Sequence, residues 1–102
     1  MTIQLGKYNF EGPFDTTSDL REQSGVYAIL GGNGNGSEQW KIVDIGESEG
    51  IRSLVENHDR ANCWKRQQFA RLTCAAHYCN ELVRVRSEQT LRPEFNPPCG
   101  DR

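Results

Sequence analysis

The pattern of apolar and polar positions predicts three strands in the middle of the chain. Residues 26–30 are continuously apolar and predict a buried strand, and residues 40–45 are rich in β-branched side chains and predict its partner. Residues 31–37 consist of glycine, asparagine and serine, so they predict a flexible hairpin loop; a phosphate-binding loop would need a following helix. Residues 69–79 predict the third strand.

The apolar period changes from two to about 3.6 after the second strand. The positions that recur at helical spacing are Ile51, Leu54, Val55 and His58. They predict an amphipathic helix over residues 50–60, with Ser48 as its N-cap.

The two ends of the chain carry weaker patterns. Residues 1–24 mix turn signals with single aromatic residues, which predicts a lead-in that packs on the core from outside, with a short helix within residues 15–23. Residues 82–86 alternate like a strand, whereas residues 87–91 resemble a capped helical turn, so this region has two interpretations. Prolines at 93, 97 and 98 are expected to end regular structure.

Size and charge limit the classes of protein to consider. A chain of 102 residues with 35% hydrophobic content suits one domain with a modest core. The formal net charge of −2 gives no overall sign of a nucleic-acid partner, so any such surface must be local. Without a long apolar run or a signal-peptide pattern, we expect a soluble cytoplasmic protein with no membrane association.

The four cysteines are expected to be free thiols, since an intracellular location disfavours disulfides. They are Cys63, Cys74, Cys79 and Cys99. No two of them form the Cys-x-x-Cys pair that structural zinc sites commonly use, so we do not expect a zinc site.

Two tripeptides and three later side chains resemble the motifs of the GIY-YIG nuclease superfamily. Gly25-Val26-Tyr27 stands where that family has GIY, and Asp44-Ile45-Gly46 stands where it has YIG. His58, Glu88 and Asn96 follow in the family's order. The resemblance implies an α/β (α+β) fold with a small three-stranded antiparallel sheet flanked by helices. It implies one domain over residues 1–102, with the motif-bearing core at 25–97.

The resemblance also implies a function: metal-dependent endonuclease cleavage of DNA phosphodiester bonds. Tyr27 is then the base or its orienter, His58 a proton relay or phosphate-positioning group, and Asn96 a group that fixes local geometry. Glu88 is the ligand of a single Mg²⁺ or Mn²⁺, and Glu81 competes for that role. One carboxylate suits Mg²⁺, which keeps most of its water ligands.

The chain departs from the family pattern at two positions. Asp44 replaces the tyrosine of the second tripeptide, and is either a further catalytic or metal-binding group or an exposed carboxylate at a strand end. Leu54 occupies the place of an arginine one helical turn before His58, and Arg52 points elsewhere on the helix. The alternative function is therefore a catalytically weakened domain that binds nucleic acid or protein through the same face.

A cluster of cations around a tryptophan predicts where DNA would bind. Arg60, Lys65 and Arg66 surround Trp64, and Arg52 lies nearby in sequence. Cations contact phosphates while an indole stacks on a base. The second interpretation is a connection in which Trp64 anchors the helix end to the core. A domain of this size could also need a protein partner or a fused targeting domain.

Overall fold

Five antiparallel strands and three helices make up the part of the chain that the computed structural model describes, residues 1–36 and 39–100. The strands are β1 (Thr2–Leu5), β2 (Tyr8–Phe14), β3 (Gly25–Gly32), β4 (Lys41–Ser48) and β5 (Arg71–Tyr78). The helices are α1 (Ile51–Glu56), α2 (Ala61–Arg66) and α3 (Glu81–Phe95), with a 3-10 turn at Thr17–Asp19. All strands form one sheet in the order β1-β2-β5-β3-β4.

The α+β class is as predicted, but the predicted number of three strands is wrong. The three expected strands are β3, β4 and β5, and the first two strands extend their sheet. The lead-in pairs with β5, placing Glu11 opposite Ala76 and Phe14 opposite Cys74, instead of packing on the core from outside. Within it, the predicted short helix is only the 3-10 turn.

Both faces of the sheet are covered, so the interior strand β3 is buried along all eight residues. One apolar cluster lies beneath α1 and α2 and contains Ile51, Val55 and Trp64. The other lies beneath α3 and contains Leu91. Successive side chains of a strand point to opposite faces, so Tyr27 and Ile29 join the first cluster, while their neighbours on β3 join the second.

The glycine-rich connection after β3 is a turn over its described residues. β3 continues to Gly32, and Asn33 Oδ1 accepts a hydrogen bond from the Asn35 N–H at 3.2 Å. Gly34 and Gly36 have φ angles of 79° and 85°, which side chains other than glycine rarely adopt. The last residue of the predicted loop, at position 37, lies outside the described residues.

The predicted helix over residues 50–60 is two helices separated by a turn. α1 ends at Glu56, since Asn57 leaves the helical backbone with φ of −119° and ψ of 28°; its backbone and side-chain amides both donate to Ser53 O, at 3.2 and 3.0 Å. Its N-cap is Gly50 and not Ser48, whose hydroxyl accepts from the Gly50 N–H instead. The chain begins a helix again at α2, in the segment expected to be a connection.

The ambiguous region after β5 is helical throughout. The Asn80 side chain caps α3 by accepting from the Val83 N–H at 2.9 Å. The prediction that Pro93 ends regular structure is wrong, since α3 runs on to Phe95. Proline in the last turn removes one helical hydrogen bond, and Leu91 and Arg92 are buried beside it. The helix ends at Asn96, whose φ of 45° is left-handed.

Cys63 and Cys99 form a disulfide with an S–S distance of 2.10 Å, so the expectation of four free thiols is wrong for this pair. The bond joins α2 to the segment after α3, across 36 residues of sequence, and no local cysteine spacing could have indicated it. Cys74 and Cys79 are free, and burial raises the pKa of Cys74 to about 11. None of the helices in the described residues is both long enough and apolar enough to cross a membrane.

Candidate functional site

Tyr27 reaches the rim of the sheet because its neighbour on the edge strand is a glycine. Tyr27 pairs with Gly46 across β3 and β4, and β4 is the outermost strand. A Cβ atom at Gly46 would occupy the position of the Tyr27 hydroxyl. The absence of a side chain therefore lets the phenol ring lie across β4, with its hydroxyl at the edge of the sheet.

Tyr27 lines a cleft together with three other predicted site residues, His58, Arg60 and Glu88. The cleft has a volume of about 240 Å³ and is lined by Tyr27, Gly46, Glu47, Leu54, His58, Asp59, Arg60 and Glu88. α3 crosses the opposite face of the sheet and brings Glu88, which is 4% exposed, to the same edge. Glu81, the competing carboxylate, is 80% exposed in the first turn of α3 and does not line the cleft.

Tyr27 Oη receives two hydrogen-bond donors from the turn between α1 and α2. It is bonded to His58 Nε2, and Arg60 Nη2 donates to it at 3.0 Å. The Arg60 backbone N–H donates to His58 Nδ1 at 3.0 Å, so in the neutral ring the proton lies on Nε2 and is donated to Tyr27. The phenolic proton of Tyr27 therefore points away from both groups.

Burial sets the protonation states of these two side chains. Burial, followed by the negative charge of Asp44, raises the pKa of Tyr27 well above its ordinary value of 10.0, so the resting group is a phenol. Burial and then the positive charge of Arg60 lower the pKa of His58 below 6.5, so the imidazole is neutral at pH 7. Asp59 Oδ1 lies 3.2 Å from His58 Nδ1, but its side chain is 93% exposed and the Arg60 N–H already occupies that nitrogen.

The lowered pKa of His58 makes the stability of the fold pH-dependent in the acidic range. Between its folded-state pKa and 6.5, the unfolded chain binds more protons than the folded chain, so the free energy of unfolding rises with pH. This contribution is complete above about pH 6.5 and is lost as the pH falls through the folded-state pKa. Urea unfolding at intervals from pH 5 to pH 8 measures it.

The matched control is the second histidine, His77, which lies outside the cleft. We expect His58→Gln to remove this contribution to the acidic slope and His77→Gln to retain it. An unchanged slope in His58→Gln would contradict the burial of a neutral imidazole at this position.

Asp44 lies behind the cleft as a carboxylate with no exposed surface. Its Oδ2 accepts from Arg60 Nε at 2.8 Å and from Trp64 Nε1 at 2.7 Å. Its Oδ1 accepts from Arg60 Nη2 and from Arg92 Nη1, both at 3.2 Å. We call Asp44, Arg60, Trp64 and Arg92 the Asp44 cluster.

This geometry bears on both interpretations of Asp44 given above. The side chain is not an exposed carboxylate at a strand end, because it is fully buried. It does not line the cleft either, so it does not face the space that Glu88 faces. A carboxylate offers about four acceptor positions, and the Asp44 cluster uses four, which leaves none for a metal ion.

The remaining predicted residues lie apart from the cleft. Asn96 is exposed at the end of α3 and borders a different groove. Arg52 Nε donates to Leu20 O at 3.0 Å, which ties α1 to the 3-10 turn. Trp64 is buried, with its indole against the ring of His58 at 4.8 Å between centroids, so it anchors α2 and offers no face for stacking. Lys65 and Arg66 are exposed on α2.

One group at the site, Glu47, was not singled out from the sequence; it lines the cleft and pairs with Arg84 at 2.7 Å. The roles of two other residues were not predicted: Arg92 lies within the Asp44 cluster, and Gly46 admits the ring of Tyr27. The sequence signal for a buried charge cluster was Asp44, a carboxylate between the apolar residues Val43 and Ile45 in a strand pattern. A charge in that position predicts a buried cationic partner, although not which one.

The cleft fits a hydrated divalent cation better than a cation bound mainly by protein groups. Within the described residues, no group of three or more histidine, cysteine, aspartate or glutamate side chains could together hold a metal ion. Mg²⁺ needs only one or two carboxylates because it retains its waters. Five waters at about 30 Å³ each need about 150 Å³, and the cleft beside Glu88 offers about 240 Å³.

No protein-family model, curated protein sequence or solved structure matches this chain at a significant level. The class of protein is therefore defined by its own geometry. It is a small α+β domain in which a tyrosine, a neutral histidine and an arginine meet a buried glutamate at one edge of an antiparallel sheet.

Proposed function

We propose that this protein is a divergent member of the GIY-YIG superfamily that hydrolyses DNA phosphodiester bonds with one divalent metal ion. The observation that carries the proposal is the convergence of Tyr27, His58 and Glu88 on one cleft, from β3, the α1–α2 turn and α3. These residues are separated by up to 61 positions in sequence and were selected by motif order alone. An open cleft with a carboxylate and a tyrosine hydroxyl that can orient water suits phosphodiester hydrolysis.

Glu88 is the residue that would hold Mg²⁺ or Mn²⁺. When bound, the ion would polarise the scissile phosphate and lower the pKa of water in the cleft. Glu88 lies near the middle of α3, which fixes its backbone, and its 4% exposed side chain lines the cleft. Glu47 faces the same cleft, with Arg84 bonded to one of its oxygens.

Tyr27 acts on the proton of the attacking water. The two donors on its oxygen, His58 Nε2–H and Arg60 Nη2–H, favour the negative charge of a phenolate. The raised pKa keeps Tyr27 protonated at rest, so its hydroxyl orients the water; as its oxygen takes the proton of the attacking water, it releases its own proton to solvent in the open cleft. His58 holds this arrangement only in its neutral form.

Nicking of supercoiled plasmid DNA in Mg²⁺ or Mn²⁺ tests this proposal. We expect Tyr27→Phe to lower the rate by about 10²–10⁴-fold, as loss of a general base does. Glu88→Gln should remove cleavage at metal concentrations that saturate the wild type. Tyr8→Phe and Glu81→Gln are matched controls, because each makes the same chemical change outside the cleft, and both should cleave at the wild-type rate.

The controls also decide between the two glutamates. Loss of cleavage in Glu81→Gln with retention in Glu88→Gln would reverse the metal assignment. Binding of DNA without cleavage by the wild type, in either metal, would replace the proposal with the alternative of a weakened domain that only binds nucleic acid. Neither binding nor cleavage would leave a protein partner as the remaining role for this face.

A further inference from the structure

We propose that Asp44 is a positioning residue that fixes Arg60 as the phosphate-binding cation of the cleft. This inference rests on the proposed function, because it assigns a role within the same reaction. It concerns a carboxylate that touches neither the cleft nor the reacting atoms, and that acts only through the arginine it holds.

The guanidinium of Arg60 is fixed along one edge and open along the other. Nε and Nη2 donate to Asp44, and Nη2 also donates to Tyr27 Oη. Of the five N–H groups of an arginine, these bonds use three. The two N–H groups on Nη1 donate to none of the described residues. Since the side chain is 35% exposed and lines the cleft, a phosphate oxygen can accept both.

Asp44 can hold this orientation because it is itself fixed from behind. Trp64 and Arg92 supply the other two donors to its carboxylate, so the group cannot rotate without losing hydrogen bonds that water cannot replace at a site of zero exposure. Arg92 is bonded in turn to Ile45 O and to Cys99 O, the latter at 3.0 Å. Asp44 is thus held in place, through Arg92, by the backbone of β4 and of the C-terminal segment.

The C-terminal segment also covers the carboxylate of Asp44. Gly100 lies so close that a Cβ atom there would be 2.7 Å from Asp44 Oδ1 and 2.9 Å from the Arg60 guanidinium. Exclusion of water strengthens the ion pair and keeps the guanidinium in one orientation. A cation oriented before substrate binds stabilises developing phosphate charge more than a mobile one does.

Leu54 offers a second route for a guanidinium into the same cleft. It lines the cleft from α1 and is only partly buried. An arginine placed there would reach the cleft without any contribution from Asp44. The variant Leu54→Arg therefore separates the need for a cation from the need for the Asp44 cluster.

The test is a double-mutant cycle on steady-state cleavage of a short DNA duplex in Mg²⁺, with each variant shown by circular dichroism to be folded at the assay temperature. We expect Arg60→Gln to lower kcat by about 10²–10³-fold, which is typical of a lost charge-stabilising donor. Asp44→Asn should lower kcat with little change in KM. If Asp44 acts through Arg60, the double variant should be no slower than Arg60→Gln alone.

Trp64→Phe provides a second variant, because it removes one donor to Asp44 and retains a ring in the core. It should lower kcat in the wild type and have no effect in the Arg60→Gln background. Leu54→Arg should recover part of the activity of Arg60→Gln and of Asp44→Asn. Independent, multiplicative losses from Asp44 and Arg60 would overturn the inference.

The outcomes separate this inference from the proposed function. If the wild-type protein cleaves DNA and both Arg60→Gln and Asp44→Asn cleave it at the wild-type rate, the positioning role is overturned and the nuclease assignment stands. A wild-type protein that does not cleave would overturn both.

Discussion

Replacement of Asp44 by asparagine is expected to lower the free energy of unfolding by about 3–5 kcal/mol. The substitution leaves Arg92 buried without its counter-charge, and it turns an amide donor toward groups that are all donors. Domains of this size are stable by only about 5–15 kcal/mol, so the loss is a large share of the total. Urea unfolding of wild type and variant at pH 7 measures it.

Asp15→Asn is the matched control, since Asp15 also forms a two-point pair with an arginine, Arg71, at 2.7 and 2.8 Å. Its side chain is 64% exposed, so water replaces the lost interaction and the change should be at most about 1 kcal/mol. Equal effects of the two substitutions would mean that Asp44 is not the buried, fully bonded carboxylate described above.

Reduction of the Cys63–Cys99 disulfide is expected to lower the free energy of unfolding by about 3–4 kcal/mol. The bond closes a loop with a sequence separation of 36 residues, and a closed loop of that length removes much of the conformational freedom of the unfolded chain. Urea unfolding with and without a phosphine reductant gives the difference directly.

Thiol titration and a double serine variant complete this test. The unfolded, unreduced protein should expose two thiols, from Cys74 and Cys79, and the reduced protein four. The Cys63→Ser, Cys99→Ser variant should be as unstable as the reduced protein and insensitive to reductant. Four free thiols without reductant would show that the bond is absent from the purified protein.

The elements with strong local patterns were predictable from the sequence. The three central strands and the helix after β4 follow from apolar periodicity, and the structure contains each of them. The five-stranded sheet was not predictable, because β2 joins it by pairing with β5, some 60 residues away, and β1 in turn pairs with β2. The early end of α1 lies at Asn57, whose backbone is not helical and whose side-chain amide donates to Ser53 O, and apolar periodicity gives no sign of either feature.

The site residues fall into the same two groups, those that the sequence could indicate and those that only the folded chain shows. Tyr27, His58 and Glu88 could be selected by motif order, and the structure brings them to one cleft. The Asp44 cluster could not, since its members come from β4, the α1–α2 turn, α2 and α3, and only the folded chain shows which cations meet the carboxylate. Trp64 had two interpretations from the sequence, and its buried indole, which donates to Asp44, agrees with the second, an anchor in the core.

The most direct test of the metal-dependent nuclease assignment is a time course of plasmid nicking by the wild-type protein alongside Glu88→Gln. Nicking that requires Mg²⁺ or Mn²⁺, stops on addition of EDTA, resumes when the metal is restored and is absent in Glu88→Gln is the predicted result. Equal nicking by both proteins, or none by the wild type in either metal, would contradict the assignment.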